Sequence, residues 1–388
     1  MTKLVQAWVL MLLFVAAVSA KTVDLDVTFY TPDEGSGLLE NPEGNEVRNI
    51  IFMIGDGMGI TQVAMTRIYT VGPDGRLTME RLPVSGFSTT HSANKLITDS
   101  GASGTAMATG VKTKNKAIGV RPDGTPVPSI LEIAEKAGLA TGLVATSAIT
   151  HATPASFAAH QKRRNDEDKI AIDMTESGVD VLLGGGREFF VGDDDPESLR
   201  DDGRNLFAEL NGKGYDTVTT REEMLNSTSN KLVGLFEYHA LTSEGDEPTL
   251  AEMTEKALSI LSQDPDGFFV MIEGSQIDWA GHDGDPNGVV YHTLHFDMAI
   301  RKAIEFAQQD GHTLVVVTAD HETGGLTIVD GDLDGSDLDV EFSTGHHTAM
   351  PVPLFAYGPG STTFSGMMDN TDIPHKFARL LGLEGLEE

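Results

Sequence analysis

Three apolar runs in this chain end on side chains that can ligate metals: NIIFMIGDG delivers Asp56, FFVMIEG delivers Glu273, and TLVVVTADH delivers Asp320 and His321. GSQIDWAGH adds Asp278 and His282, four apart, which one turn of helix brings onto the same side. FSTGHHTAM adds His346 and His347 just ahead of another apolar run. A single histidine near a strand end is more often a hydrogen-bonded loop residue, but so many carboxylates and imidazoles in such positions mean divalent metal, and more than one ion. A nucleophile candidate lies in TDSGASG, where Ser100 follows Asp99 and precedes small residues that can open a helix. Its oxygen would lie near unpaired backbone NH groups and the positive end of the helix dipole, which stabilise an alkoxide or a phosphate. Taken alone the pattern is that of an ordinary N-cap.

These residues act together only if the strands that carry them end at one crevice. In an open parallel sheet, ligands bind outside the carboxyl ends of the strands. The patterning fits such a sheet: strands are expected at 48–54, 141–147 and 180–186, and helices from Ser100, at 129–138, 250–261 and 289–311. PVPLFAYG (351–358) reads as the last strand, and IPHKFARLLGL as a closing helix. The alternation predicts a three-layer α/β/α sandwich with a large, mostly parallel central sheet. Nothing resembles a linker, so residues 21–388 read as a single catalytic domain. Residues 21–47 form an arm or edge, about 192–230 a surface insertion, and 329–341 an acidic loop.

The first twenty residues stand apart. Lys3 precedes an apolar stretch from Ala7 to Val18, and Val18-Ser19-Ala20 supplies small residues before Lys21. This is a secretory signal pattern cleaved after Ala20, which places the mature chain in the periplasm or outside the cell. An uncleaved anchor is the alternative, but the apolar segment is short for a membrane span. No cysteine occurs among the 388 residues, which excludes disulfides, thiol catalysis and Cys-ligated zinc. The chain has 27 basic and 59 acidic residues, and loss of Lys3 with the leader leaves a formal charge of −33. Such a surface repels nucleic acid, anionic membranes and phosphate substrates alike, unless metals reverse the local sign. An acidic excess of this size suggests adaptation to high salt, where self-repulsion is screened; an ordinary acidic secreted enzyme is the alternative.

The chain resembles the alkaline phosphatases through IFMIGDGMG, TDSGASGTAMATGVKT, THATPASFAAH, EGSQIDWAGH, TADHETGG and FSTGHHTAM, in that order. The resemblance is to the compact bacterial members and implies hydrolysis of small phosphate monoesters through a phosphoseryl intermediate at Ser100. It also implies a homodimer, with two Zn2+ and one Mg2+ per chain. On this reading Asp278, His282 and His347 hold the first zinc, and Asp56, Asp320 and His321 the second. Asp56, Thr153 and Glu273 hold the magnesium, a donor set of oxygens that suits the harder ion. Arg164 takes the place of the phosphate-clamping arginine, with Arg163 beside it as the competitor. Rival readings are a phosphodiesterase, sulfatase or phosphomutase on the same scaffold, and a metal-storage or phosphate-binding protein without turnover.

The chain departs from the family pattern at two positions. His151 stands where many bacterial relatives carry Asp, which should weaken the magnesium site and let zinc compete; its alternative role is to order a water. Trp279, beside Asp278, replaces a Lys, and core packing is its alternative role. A separate feature is Asp330, Asp332, Asp334 and Glu341, which match the spacing of a calcium loop. The flanks do not read as helices, and an acidic surface hairpin is the competing account.

Overall fold

The computed structural model describes residues 20–33, 37–42, 44–242 and 245–386. The leader reading falls on residues 1–19, outside the described residues, apart from Ala20. Ten strands form the central sheet, in the order Gly366–Asp369, Val84–Thr89, Val352–Tyr357, Thr313–Thr318, Asn49–Gly55, Phe268–Gly274, Ala140–Ala148, Val181–Gly185, Leu232–Leu235 and Asp216–Val218. Only Val352–Tyr357 runs against the rest, antiparallel to both of its neighbours. It is not the last strand: Gly366–Asp369 follows and pairs in parallel with Val84–Thr89, which extends the sheet beyond it.

Alternation along the central strands explains the three layers. Ile51 and Met53 face one core together with Val315, Val317, Val270 and Ile272, beneath the helices Leu250–Leu261 and Pro286–Asp310. Ile50, Phe52 and Ile54 face the other, together with Leu314, Val316 and Met271, beneath Ser100–Thr109, Ile130–Ala137, Ala152–Ala158 and Asp372–Leu381. Strands buried on both faces read as unbroken apolar runs. Each fully buried side chain of the size of Phe52 adds roughly 1.5–3 kcal/mol.

Pro286, at the first turn, starts the long helix three residues before the expected 289, because Asp285 caps it by accepting from Asn287 N. Within 192–230 the structure has helices Leu206–Gly212 and Arg221–Asn226 and the edge strand Asp216–Val218, so part of this stretch belongs to the sheet. The arm is anchored as well. Tyr30 Oη donates to Asp297 Oδ2 at 2.7 Å, and the amides of Thr78 and Met79 donate to the same buried carboxylate.

Candidate metal centre and nucleophile

Asn49–Gly55 pairs in parallel with Phe268–Gly274 on one side and Thr313–Thr318 on the other, with Ile54 level with Glu273 and Thr318. Glu273 therefore stands at that level, and Asp56 and Asp320 each leave their strands two residues beyond it. The turn after Asp56 needs glycine. Gly57 has φ +74°, and a Cβ there would lie 2.7 Å from Asp278 Cα. Its amide donates to Asp320 Oδ1 at 3.1 Å, which ties two of the strand ends together.

The polar atoms here lack partners. Both carboxylate oxygens of Asp56, Glu273 Oε1, Asp320 Oδ2, Thr153 Oγ1 and His151 Nδ1 are buried without a hydrogen bond. Burial, then the charges of Asp320, Asp278 and Glu273, pushes the Asp56 carboxyl well above its ordinary range. Burial pushes Glu273 up to about 7. Isolated buried carboxylates are costly, and divalent cations among them remove both the desolvation and the repulsion. Three sets have ligand atoms within 4.8 Å of one another: Asp278, His282 and His347; Asp56, Asp278 and His321; and Asp56, His151 and Glu273. Asp320 adjoins the second set, its Oδ2 3.0 Å from His321 Nε2. Thr153 Cα lies 3.4 Å from where a Cβ on Gly104 would be, on a helix packed against that of Ser100.

The two histidines of the first set are aimed by the backbone. His282 Nδ1 meets Gly345 O at 2.8 Å, and His347 Nδ1 meets Thr98 O at 2.9 Å. Carbonyls only accept, so each Nδ1 carries a proton; Nε2 of the neutral His347 then presents a lone pair, and Nε2 of His282 does so once a cation displaces its second proton. The two Nε2 atoms are 3.1 Å apart. In that arrangement they need a cation or a shared proton between them. The bond to Asp278 pushes His282 up to about 9, whereas burial and His321 pull His347 down to about 4. Of the adjacent pair, His347 enters the site and His346 is exposed.

Ser100 opens the helix Ser100–Thr109, and Asp99 caps it by accepting from Ala102 N at 3.1 Å. Ser100 Oγ lies 3.3 Å from His321 Nε2, against the second ligand set. Arg164 reaches Asp99 Oδ2 at 3.3 Å and His151 Nε2 at 2.9 Å, while Arg163 is exposed to solvent. Trp279 stands edge-on to His151 with ring centroids 6.1 Å apart.

The family profile described as "Alkaline phosphatase" matches residues 47–337. The chain belongs to the alkaline phosphatase family. Alkaline phosphatase 3 of Bacillus subtilis is 37% identical over 86% of this chain and 89% of its own length. The alkaline phosphatase of Escherichia coli is 32% identical over 91% of this chain and 90% of its own. The solved alkaline phosphatase of the Antarctic bacterium TAB5 superposes with a TM-score of 0.80 at 38% identity, covering 88% of this chain and 99% of that one. Variants of that protein with a histidine changed to Asp or Glu have been solved with Mg bound in the M3 site. The present chain is thus an alkaline phosphatase, a phosphomonoester hydrolase with clustered metal-ligating residues.

Sequence reasoning missed several residues that hold the phosphatase centre in place. Thr323 Oγ1 donates to Asp278 Oδ1 and lies 3.2 Å from His321 Nδ1. Its place two residues after His321 was the available signal, since a strand returns to the same side at that interval. Ser275 and Ser147 donate to Glu273 Oε2 at 2.7 and 3.3 Å, which leaves Oε1 for a ligand. The stretch 330–341 forms a hairpin between strands Leu326–Asp330 and Asp339–Phe342. The calcium-loop reading is corrected there: neither flank is helical, Glu341 lies within a strand opposite Thr327, and Asp334 Oδ1 is taken by Ser336. Among the described residues, Asp330, Asp332, Asp334 and Glu341 form no group close enough to share an ion. No described helix is long and apolar enough to cross a membrane.

Proposed function

We propose that the enzyme cleaves small phosphate monoesters in two steps, through a covalent phosphoseryl intermediate at Ser100. The observation that carries this is the position of Ser100 Oγ, at a helix N-terminus and 3.3 Å from His321 Nε2, against buried ligand atoms without partners. Asp278, His282 and His347 would hold one Zn2+, Asp56, Asp320 and His321 a second, and Asp56, Thr153 and Glu273 one Mg2+ with His151 beside it. When bound, these ions supply charge stabilisation at the attacking and leaving oxygens and lower the pKa of a hydroxyl.

The chain's own residues do the rest. The helix that Ser100 begins points its free amides at the incoming phosphate. The Arg164 guanidinium, held by Asp99 and His151, is placed to grip two phosphate oxygens at once. Ser100 Oγ attacks phosphorus in line and the alcohol departs; water then attacks the phosphoserine, releasing inorganic phosphate and restoring the hydroxyl. A binding protein would need no nucleophile so placed, which disfavours the reading without turnover. We further propose export to the periplasm or medium after cleavage near Ala20, and a homodimer.

Labelling with a 32P-monoester followed by acid quench tests the chemistry. Label should appear at Ser100 and vanish in Ser100→Ala. Full turnover by that variant would sink the proposal.

A further inference from the structure

Eight of the 27 basic residues and only two of the 59 acidic ones lie in the segments 91–126 and 160–164, in a chain where acids outnumber bases by two to one. These segments are stitched together beside the nucleophile. Ala93 N donates to Thr113 O, Asn115 N to Asn94 Oδ1, Ile118 and Gln161 exchange backbone bonds, and Arg164 N donates to Lys116 O. Lys116 N donates to Asp99, the residue before Ser100. Lys116 is held at φ +76°, a left-handed conformation costly for a residue with a side chain.

Lys95, Lys114, Lys116, Lys162 and Arg163 are all exposed. None of them forms an ion pair among the described residues, whereas Lys112 and Arg164 in the same segments pair with Asp369 and Asp99. Asp99, which accepts from the Lys116 amide, and Asp166, whose amide donates to Arg163 O, lie nearby without pairing with any of the five side chains. We propose that the five form a cationic collar around the mouth of the Ser100 site that selects phosphate monoesters whose leaving group is itself anionic. The inference rests on the phosphomonoesterase reading and adds a substrate class to it. A neutral leaving group gains only the attraction on the phosphate, which every substrate shares. An anionic one gains a second attraction, and its carboxylate or phosphate lies over the collar when the reacting phosphate is at Ser100. Against an acidic surface, a local reversal of sign also raises the encounter rate, and salt screens it.

Glycerol 3-phosphate and 3-phosphoglycerate test the collar, because they differ by a carboxylate in place of a hydroxymethyl group. The readout is the ratio of their kcat/KM values in the metal-loaded wild type and in Lys95→Gln/Lys114→Gln/Lys162→Gln. The ratio favouring 3-phosphoglycerate should fall about fivefold in the variant, and by a similar factor in the wild type between ~0.05 and ~0.5 M salt, with the variant markedly less sensitive to salt. Turnover of glycerol 3-phosphate reports that the variant is folded, and Lys114→Gln alone should show a smaller shift of the same sign. An unchanged ratio overturns the collar and leaves the phosphatase reading intact. Failure of the wild type to hydrolyse either ester overturns that reading instead.

Discussion

Arg164 Nη2 donates to His151 Nε2 at 2.9 Å, and this leaves His151 Nδ1 buried without a partner in the group it forms with Asp56 and Glu273. Burial and the adjacent guanidinium push His151 down to about 3, so the ring is neutral and has one proton. While Nε2 accepts from Arg164, that proton must be on Nδ1, and Nδ1 then has no lone pair for a cation. A carboxylate has no such conflict, because one oxygen can accept from Arg164 and the other face the ion. His151→Asp should therefore raise magnesium affinity about tenfold or more, a change of roughly 1.4 kcal/mol. Magnesium titration followed by calorimetry and by activity measures it, and superimposable curves would refute the account.

His321 touches both Ser100 and the carboxylates, so on the proposed mechanism its loss should affect chemistry before stability. In His321→Ala, phosphoseryl formation in rapid quench should slow by about 10²-fold or more, the scale of losing one preorganised electrostatic partner. The melting temperature should change by only about 1–2 °C, the equivalent of about 1 kcal/mol for a chain of this size. Near-normal phosphorylation would show that the serine is activated from elsewhere.

Trp279 is the only tryptophan left once the leader is removed, and it stands over His151 at the third ligand set. Its emission should shift on chelation and again when inorganic phosphate is added to the metal-loaded enzyme. Spectra that ignore both additions would disconnect the ring from the site.

His160 lies 2.8 Å from Glu132 through Nε2 and 2.6 Å from Gly119 O through Nδ1, so the protonated ring is satisfied on both sides. Burial opposes the charge, but the bond to Glu132 outweighs it and the pKa is raised. A raised folded value means that the added stability is fully present below the ordinary value near 6.5 and is lost as pH rises through the folded value. His160→Asn should thus lower the melting temperature by about 1 °C near pH 6 and by much less near pH 9. An equal loss at both pH values would assign the residue a packing role alone.

With 59 acidic against 27 basic residues, self-repulsion should weaken as salt is added. Unfolding midpoint and activity are expected to rise from dilute buffer to molar sodium chloride. A flat or falling response would identify an ordinary acidic enzyme.

The candidate metal centre was legible because Asp56, Glu273, Asp320 and His321 each close an apolar run that only a buried strand explains. The sheet's edges were not. Val84–Thr89 alternates buried and exposed residues around Gly86, Asp216–Val218 has three residues, and Gly366–Asp369 is half exposed, so none shows an apolar run. The reversed direction of Val352–Tyr357 was also hidden, since a fully buried strand reads the same either way. Thr323 escaped notice because a threonine carries no mark of the carboxylate it will serve. The pairing of Arg164 with His151 depends on folded geometry, since the two are thirteen positions apart in the chain.

The three strands that deliver Asp56, Glu273 and Asp320 are immediate neighbours bonded in register. Neighbouring strands lie about 4.8 Å apart whatever side chains they carry. The separation of the backbone points that carry these three carboxylates is thus a dimension of the peptide backbone itself. Substitutions among the ligands can change which ion is preferred and how tightly it is held, but the pitch of the array persists as long as the sheet does. Slipping one strand by a single residue would turn its ligand to the opposite face and dismantle the array at once.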